Sequence, residues 1–181
     1  MTLDELKWTT TERKQLLHTP VYDVIGQQEV AANGVTGEYV AIQAPDWVMT
    51  IPVYQGYFVM VRQWRHGEDR ITVEFPGGVA DGGEDPAVTA RRELEEETGF
   101  RAGRLTHLGT VSPNPALFKN HFHCYLAEDL EPTGEQHLDA DELLRYELRP
   151  IDEVIASYGS EQMTHALMGA ALAFYLRRKT G

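Results

Sequence analysis

Read as a run of apolar and polar positions, the chain changes character several times. From Leu3 to Leu17 it is polar with scattered apolar residues, and a short helix is the only element suggested there. From Val21 the segments VYDVI, QQEVAA and GEYVAIQ are rich in β-branched and aromatic residues and bounded by turn formers, the composition of strands. Asn33-Gly34 marks a turn, with spacing that suggests a longer loop. WVMTIPVY and YFVMVRQWR are dense enough in apolar residues to be central strands, and Gln55-Gly56 between them predicts a two-residue hairpin.

The next element is a helix. Asp85 is placed to cap it, Pro86 stands at its first position and Gly99 ends it, while Ala87, Ala90 and Leu94 form an apolar stripe. Leu105 to Val111 reads as a strand, and Pro113 and Pro115 force a rigid, extended loop. HFHCYLA is another strand. Glu128 to Glu142 reads as an acidic surface loop, Leu143 to Leu148 as a strand, Pro150 to about Tyr158 as a helix, and Thr164 to Arg178 as an amphipathic helix. Strands interspersed with a few helices, without regular βαβ alternation, predict an α/β protein with a mixed sheet between helices.

Composition narrows the function. A chain of 181 residues is one domain with an appended piece. A net charge of −12 argues against a nucleic-acid or anionic-membrane partner, since both favour basic surfaces. The single Cys124 excludes an internal disulfide and a cysteine-built zinc site. Met1 to Trp8 carries no signal-peptide pattern and no apolar run reaches membrane length, so the expectation is a soluble, cytoplasmic protein.

The chemistry concentrates between Glu74 and Phe100, EFPGGVADGGEDPAVTARRELEEETGF. Glu93, Glu96 and Glu97 fall at i, i+3 and i+4 and share one side of the helix. Like charges at that spacing cost about 0.2–0.5 kcal/mol per pair, and acids near a helix C-terminus oppose its dipole. A solvated acidic face is one reading. The other is a site for a hard divalent cation, which prefers carboxylate oxygens and bridges them to phosphates.

Counting from Gly78, five residues precede Glu84 and seven more precede Arg92-Glu93-Leu94; Glu96, Glu97, Gly99 and Phe100 follow. This resembles the Nudix box, G-x5-E-x7-R-E-U-x-E-E-x-G-U with U apolar, at every fixed position. The resemblance implies the Nudix fold, a mixed sheet in an α/β/α sandwich, over residues 46–181. It also implies Mg²⁺- or Mn²⁺-dependent hydrolysis of a nucleoside diphosphate linked to another group. Residues 1–45 look like the β-rich N-terminal extension of the ADP-ribose pyrophosphatase branch, which implies a homodimer. Pro115, fifteen residues past Phe100, is similar to that branch's marker, although Asn114-Pro115 departs from its commoner spelling and leaves other nucleoside diphosphate sugars open.

By the same resemblance, Glu93, Glu96, Glu97 and the Gly77 carbonyl are metal ligands. Arg92 and Glu84 are their supporting partners, and Glu74 is a residue that could point into the site. Arg65, and after it Arg62, are candidates to clamp the diphosphate; Trp47 is the candidate for stacking on the base. A general base is expected in QHLDADELL, with Glu142 first, then Asp141, then Asp139. The activity expected is hydrolysis of ADP-ribose or a related compound to a nucleoside monophosphate and a sugar phosphate. The alternatives are an ADP-ribose-binding sensor without catalysis and a house-cleaning nucleoside triphosphate pyrophosphatase.

Overall fold

The structure is a computed structural model that describes residues 2–80, 82–140 and 142–179, with the side chain of residue 179 not described. Asp141 lies outside the described residues. The chain divides into two compact units, Met1–Pro45 with Ser112–His121, and Asp46–Val111 with Phe122–Gly181.

The first unit is a three-stranded antiparallel sheet, β1 (Trp8–His18), β2 (Asp23–Ala31) and β3 (Thr36–Gln43), in the order β1-β2-β3. The short helix expected near the start is a single 3-10 turn, Leu3–Leu6, and the rest of that polar stretch is β1. Its side chains are almost all exposed, so no alternation of buried and exposed positions marked it as a strand. What holds it is the ladder to β2, from Trp8↔Ala31 to His18↔Asp23. The segment after Val111 lies along β3: Ile42 donates its N–H to the Leu117 carbonyl, and Lys119 donates to that of Ile42.

The second unit is built on a six-stranded mixed sheet. Its strands are β4 (Trp47–Tyr54), β5 (Tyr57–Arg65), β6 (Arg70–Glu74), β7 (Phe100–Val111), β8 (Phe122–Pro132) and β9 (Leu144–Pro150). The order is β6-β5-β4-β8-β7, with β9 paired to β5. Only β4 and β8 run parallel. Gln55 and Gly56 form the expected hairpin turn with φ of 50° and 88°, joining Tyr54↔Tyr57. β8 runs on to Pro132, because Glu128 and Leu130 pair with Arg104 and Ala102; the first part of the expected acidic loop is therefore strand.

Helices cover both faces. α1 (Pro86–Thr98) sets Ala90 and Leu94 against Val48, Val59, Phe100, Tyr125 and Ala127. On the other side α2 (Ile151–Ser157) and α3 (Ala166–Lys179) bury Val154, Met168 and Leu172 on Met49, Met60, Phe122 and Cys124. The chain thus has the α/β/α sandwich that the Nudix resemblance implies. Cys124 is a core residue whose thiol burial pushes up to about 12, so it stays a neutral apolar group. No helix among the described residues is long and apolar enough to cross a membrane.

Candidate active site

α1 brings its acids to the sheet because its two ends are fixed. Asp85 accepts a hydrogen bond from the Ala87 N–H at 2.9 Å, Pro86 follows at the first helical position, and Gly99 closes the helix at φ 68°. Burial of Ala90 and Leu94 then dictates that Glu93 and Glu97, one turn apart, turn inward too. They are 9% and 3% exposed.

The Gly77-Gly78 segment runs directly beside them. It is bonded to β4 on both sides of Gly77: Thr50 donates to the Pro76 carbonyl at 2.9 Å and Val48 to the Gly78 carbonyl at 2.9 Å. The Gly77 N–H donates to Glu97 Oε2 at 2.8 Å. A Cβ on Gly77 would run into the Val48 carbonyl oxygen, a backbone atom that cannot swing aside, so glycine is what lets the main chain pass this close. Between two carbonyls committed to β4, that of Gly77 accepts no hydrogen bond among the described residues, which leaves it free as an oxygen donor.

The loop after β8 closes the other side. The Gln136 side chain donates to the Glu97 carbonyl, and the His137 N–H donates to the Glu96 carbonyl at 2.9 Å. These bonds satisfy the last carbonyls of α1 and pin the loop to the helix. The loop then turns at Asp139, whose N–H donates to Glu142 Oε2 at 3.2 Å while the Glu142 N–H donates to the Asp139 carbonyl at 3.0 Å. Glu142 ends within electrostatic reach of both Glu93 and Glu97.

Burial and neighbouring acids perturb Glu93 and Glu97. Burial raises the Glu93 carboxyl to about 7, with Glu96 and Glu142 adding to the rise and Arg92 opposing it. Burial lifts Glu97 well above the usual carboxylate range; Glu93 and Glu142 add to this, and the Gly77 N–H and Arg65 oppose it.

Arg92 serves the outer side of the helix. Its Nη1 lies 3.0 Å from Glu93 and 2.9 Å from Glu96, and its Nη2 lies 3.5 Å from Glu84, which also accepts from Thr89 at 2.7 Å. Burial works against the Arg92 charge, but Glu93, Glu96 and Glu84 more than offset it and hold the guanidinium fully protonated.

Among the described residues, no three acid, histidine or cysteine side chains close to metal-binding geometry as they stand. Arg92 Nη1 bridges Glu93 and Glu96, and Glu97 is turned to the Gly77 N–H. The donor set nevertheless suits a hard divalent ion. It offers carboxylates and a free carbonyl, and burial of Glu93 and Glu97 disfavours their charge until a cation offsets it.

Other candidates are placed differently from the reading of the sequence. Glu74 neither faces outward nor opens into the site: it is fully buried and forked by Arg65 at 2.8 and 2.7 Å. The Thr72 hydroxyl donates to it at 2.6 Å, and His165 lies 3.7 Å away. Arg65 therefore spends one N–H of Nε and one of Nη2 on Glu74 and keeps the two of Nη1 and the second of Nη2 for a ligand. Arg62 is taken by Glu147 on β9, at 3.1–3.2 Å, because alternation carries the two side chains to one face of the sheet. The Trp47 ring is partly buried against the core, with the Arg65 guanidinium 5.8 Å from its centroid, so it is not an open stacking surface. Its Nε1 is buried without a partner. Pro115 belongs to the first unit, next to Asn114, whose side chain accepts from the Ala116 N–H at 3.3 Å.

A feature the sequence reading left aside is a hydrogen-bonded row on β7 and β8: Asp46, His123, Thr110 and His107, with steps of 2.9, 3.0 and 3.0 Å. His123 is a strand residue whose partners come from β7 and from the residue just before β4.

A helix-borne acid set, a glycine segment against it and a closing acidic loop, on an α/β/α sandwich, define a Nudix-type hydrolase site. The NUDIX domain model matches residues 46–167, and the chain belongs to the Nudix family of hydrolases. It is 29% identical to the ADP-ribose pyrophosphatase of Bacillus subtilis (strain 168) over 174 residues, 95% of this chain and 94% of that one. It is 34% identical to the methanol dehydrogenase activator of Bacillus methanolicus over 125 residues, 68% of each. A solved structure described as an ADP compounds hydrolase superposes with a TM-score of 0.87 over 99% of this chain and 98% of its own, at 24% identity, which shows the shared fold.

Proposed function

We infer that the chain hydrolyses the diphosphate of ADP-ribose or a related nucleoside diphosphate sugar, with Mg²⁺ or Mn²⁺ held by Glu93, Glu97 and the Gly77 carbonyl. The observation that carries this is the pair of buried acids, Glu93 and Glu97, set against the Gly77 segment, with Glu142 within electrostatic reach of both from a loop pinned to α1. A relative that spans nearly the whole chain is an ADP-ribose pyrophosphatase, which supports the choice of substrate.

In the reaction, the oxygen of water bonds to one phosphorus. The bridging oxygen leaves with the second phosphate, and the products are a nucleoside monophosphate and a sugar phosphate. A bound divalent ion supplies charge neutralisation of the phosphates and a more acidic water. Glu142 takes the proton from the attacking water; Asp139, three residues earlier, holds the Glu142 carboxylate through its N–H and the Glu142 backbone through its carbonyl. Asp141 is the second candidate base. Arg65 presents Nη1 to a phosphate oxygen while Glu74 fixes the plane of its guanidinium. Arg92 spaces Glu96 and Glu84 along the outer side of the helix, so that Glu93 and Glu97 keep their inward rotamers.

The exposed apolar residues of the first unit, among them Trp8, Leu16, Leu17, Tyr39 and Val40, support a homodimer built through this sheet, since three strands alone cannot bury them.

The test is a panel of nucleoside diphosphate sugars and nucleoside triphosphates, assayed for phosphate-ester products with Mg²⁺, Mn²⁺ or EDTA. Metal-dependent turnover of ADP-ribose above the triphosphates is expected. Binding of ADP-ribose without turnover, or preference for a triphosphate, would replace this reading.

A further inference from the structure

A second recess lies outside the acidic site. It is a groove of about 430 Å³ where β6, β5 and β9 end, closed on one side by the loop that carries Glu142. Small-molecule sites are usually about 300–1,000 Å³. Trp64 and Ile71 face each other across β5 and β6 and are 47% and 50% exposed. Leu138 and Leu143 form the loop side, and Leu143 is 89% exposed. The Trp64 indole makes no hydrogen bond or ring contact among the described residues.

The same groove holds Arg145, which pairs with Arg62 across β9 and β5. Its guanidinium makes no hydrogen bond or ion pair among the described residues, although the chain carries a net charge of −12. The carboxylate two residues along the strand, Glu147, is already shared by Arg62 and Arg149. An occupant that covered this groove with apolar surface alone would strip water from an unpaired cation, at a high cost. An occupant with a flat ring and an anionic group answers both features, because rings stack on indole and guanidinium forks match phosphate oxygens.

We propose that this groove binds a nucleoside monophosphate, with its base between Trp64 and Leu143 and its phosphate on Arg145. The site is separate from the acids of α1. Leu138 and Leu143 flank the turn from Asp139 to Glu142, so a bound base holds that turn in place. This last consequence rests on Glu142 acting in hydrolysis; the binding itself does not.

The test uses AMP and the full chain in EDTA, with binding followed by calorimetry and by tryptophan fluorescence. Adenosine and ribose 5-phosphate serve as half-ligands. One saturable site for AMP is expected, with both half-ligands much weaker. Trp64→Ala and Arg145→Gln should each weaken AMP by about tenfold or more. Both positions are exposed, and unchanged melting temperatures check that the variants are folded. Glu97→Gln should bind AMP as the parent does.

No saturable binding by the metal-free parent at millimolar AMP overturns the proposal. So does binding that is lost in Glu97→Gln yet kept in both groove variants. Association of the chain that Trp64→Ala abolishes and AMP does not compete with would assign the groove to a second copy and also overturn it. A parent that binds AMP here but hydrolyses no nucleoside diphosphate sugar would remove the proposed activity and leave this site standing.

Discussion

Replacing Glu93 by Gln should make the metal-free protein more stable while impairing catalysis. The carboxyl has its pKa raised from 4.5 to about 7 by burial, so the fold favours its neutral form. Gln has nearly the same shape and is neutral at every pH. The sign follows from linkage. Stability associated with a raised carboxyl is fully present below the unfolded value near 4.5 and is lost as pH rises through about 7. At about 1.4 kcal/mol per pH unit, the parent forfeits roughly 3 kcal/mol by pH 8 that the Gln variant keeps. The attraction of Arg92 for Glu93 is already contained in that value, since Arg92 opposes the rise. For a chain of this length about 1 kcal/mol moves the melting temperature by roughly 2–4 °C, so a gain of about 6–12 °C is expected in EDTA at pH 8. The gap should close as pH falls below 4.5, where the carboxyl is protonated in both states. Saturating Mg²⁺ should narrow it again at pH 8: a ligand at a hundred times its Kd adds about 2.7 kcal/mol to the parent, and less to a variant that has lost a ligand oxygen. Thermal and urea unfolding, followed by circular dichroism across pH with and without metal, measure all of this. A Gln variant no more stable than the parent in EDTA at pH 8, or a gap that does not vary with pH, would refute the reasoning.

Three further outcomes are expected. Glu142→Gln should lower kcat by about 10²–10⁴ with little change in KM, and raising the pH should partly restore it as hydroxide replaces the activated water; steady-state pH profiles decide, and a variant within a few-fold of the parent would exclude Glu142 as the base. Arg65→Ala leaves the fully buried Glu74 carboxylate without its fork and should cost about 3–5 kcal/mol of stability in urea unfolding, whereas a loss under about 1 kcal/mol would show that Thr72 and His165 suffice. Removing the first forty-five residues should abolish dimers in sedimentation analysis; a parent that is monomeric and fully active would dispose of the homodimer.

Local patterns carried much of this protein. The start and stop of α1 were readable because Asp85, Pro86 and Gly99 act on their own backbone neighbourhood. The Gln55-Gly56 hairpin was readable for the same reason, since positive φ at two residues in a row is a local demand. The spacing of Glu93 and Glu97 put them on one side of the helix by geometry alone. β1 was not legible, because an exposed strand has no alternation to show and owes its conformation to the ladder it forms with β2. The end of β8 was hidden in acidic residues for the same reason: Glu128 and Glu131 are strand residues through their pairing with β7.

At the site, the residue types were evident from the chain and their commitments were not. Nothing local says that Arg65 spends its fork on Glu74, that Arg62 is taken by Glu147, or that the Trp47 ring is partly closed over by the core. These partners come from other strands and helices, and a long polar side chain takes whichever opposite charge the fold sets within reach. Glu142 shows both halves. The sequence by itself placed an acid in the loop before β9. Only the tertiary structure, through Gln136 and His137 bonded to the last turn of α1, set that acid within electrostatic reach of Glu93 and Glu97.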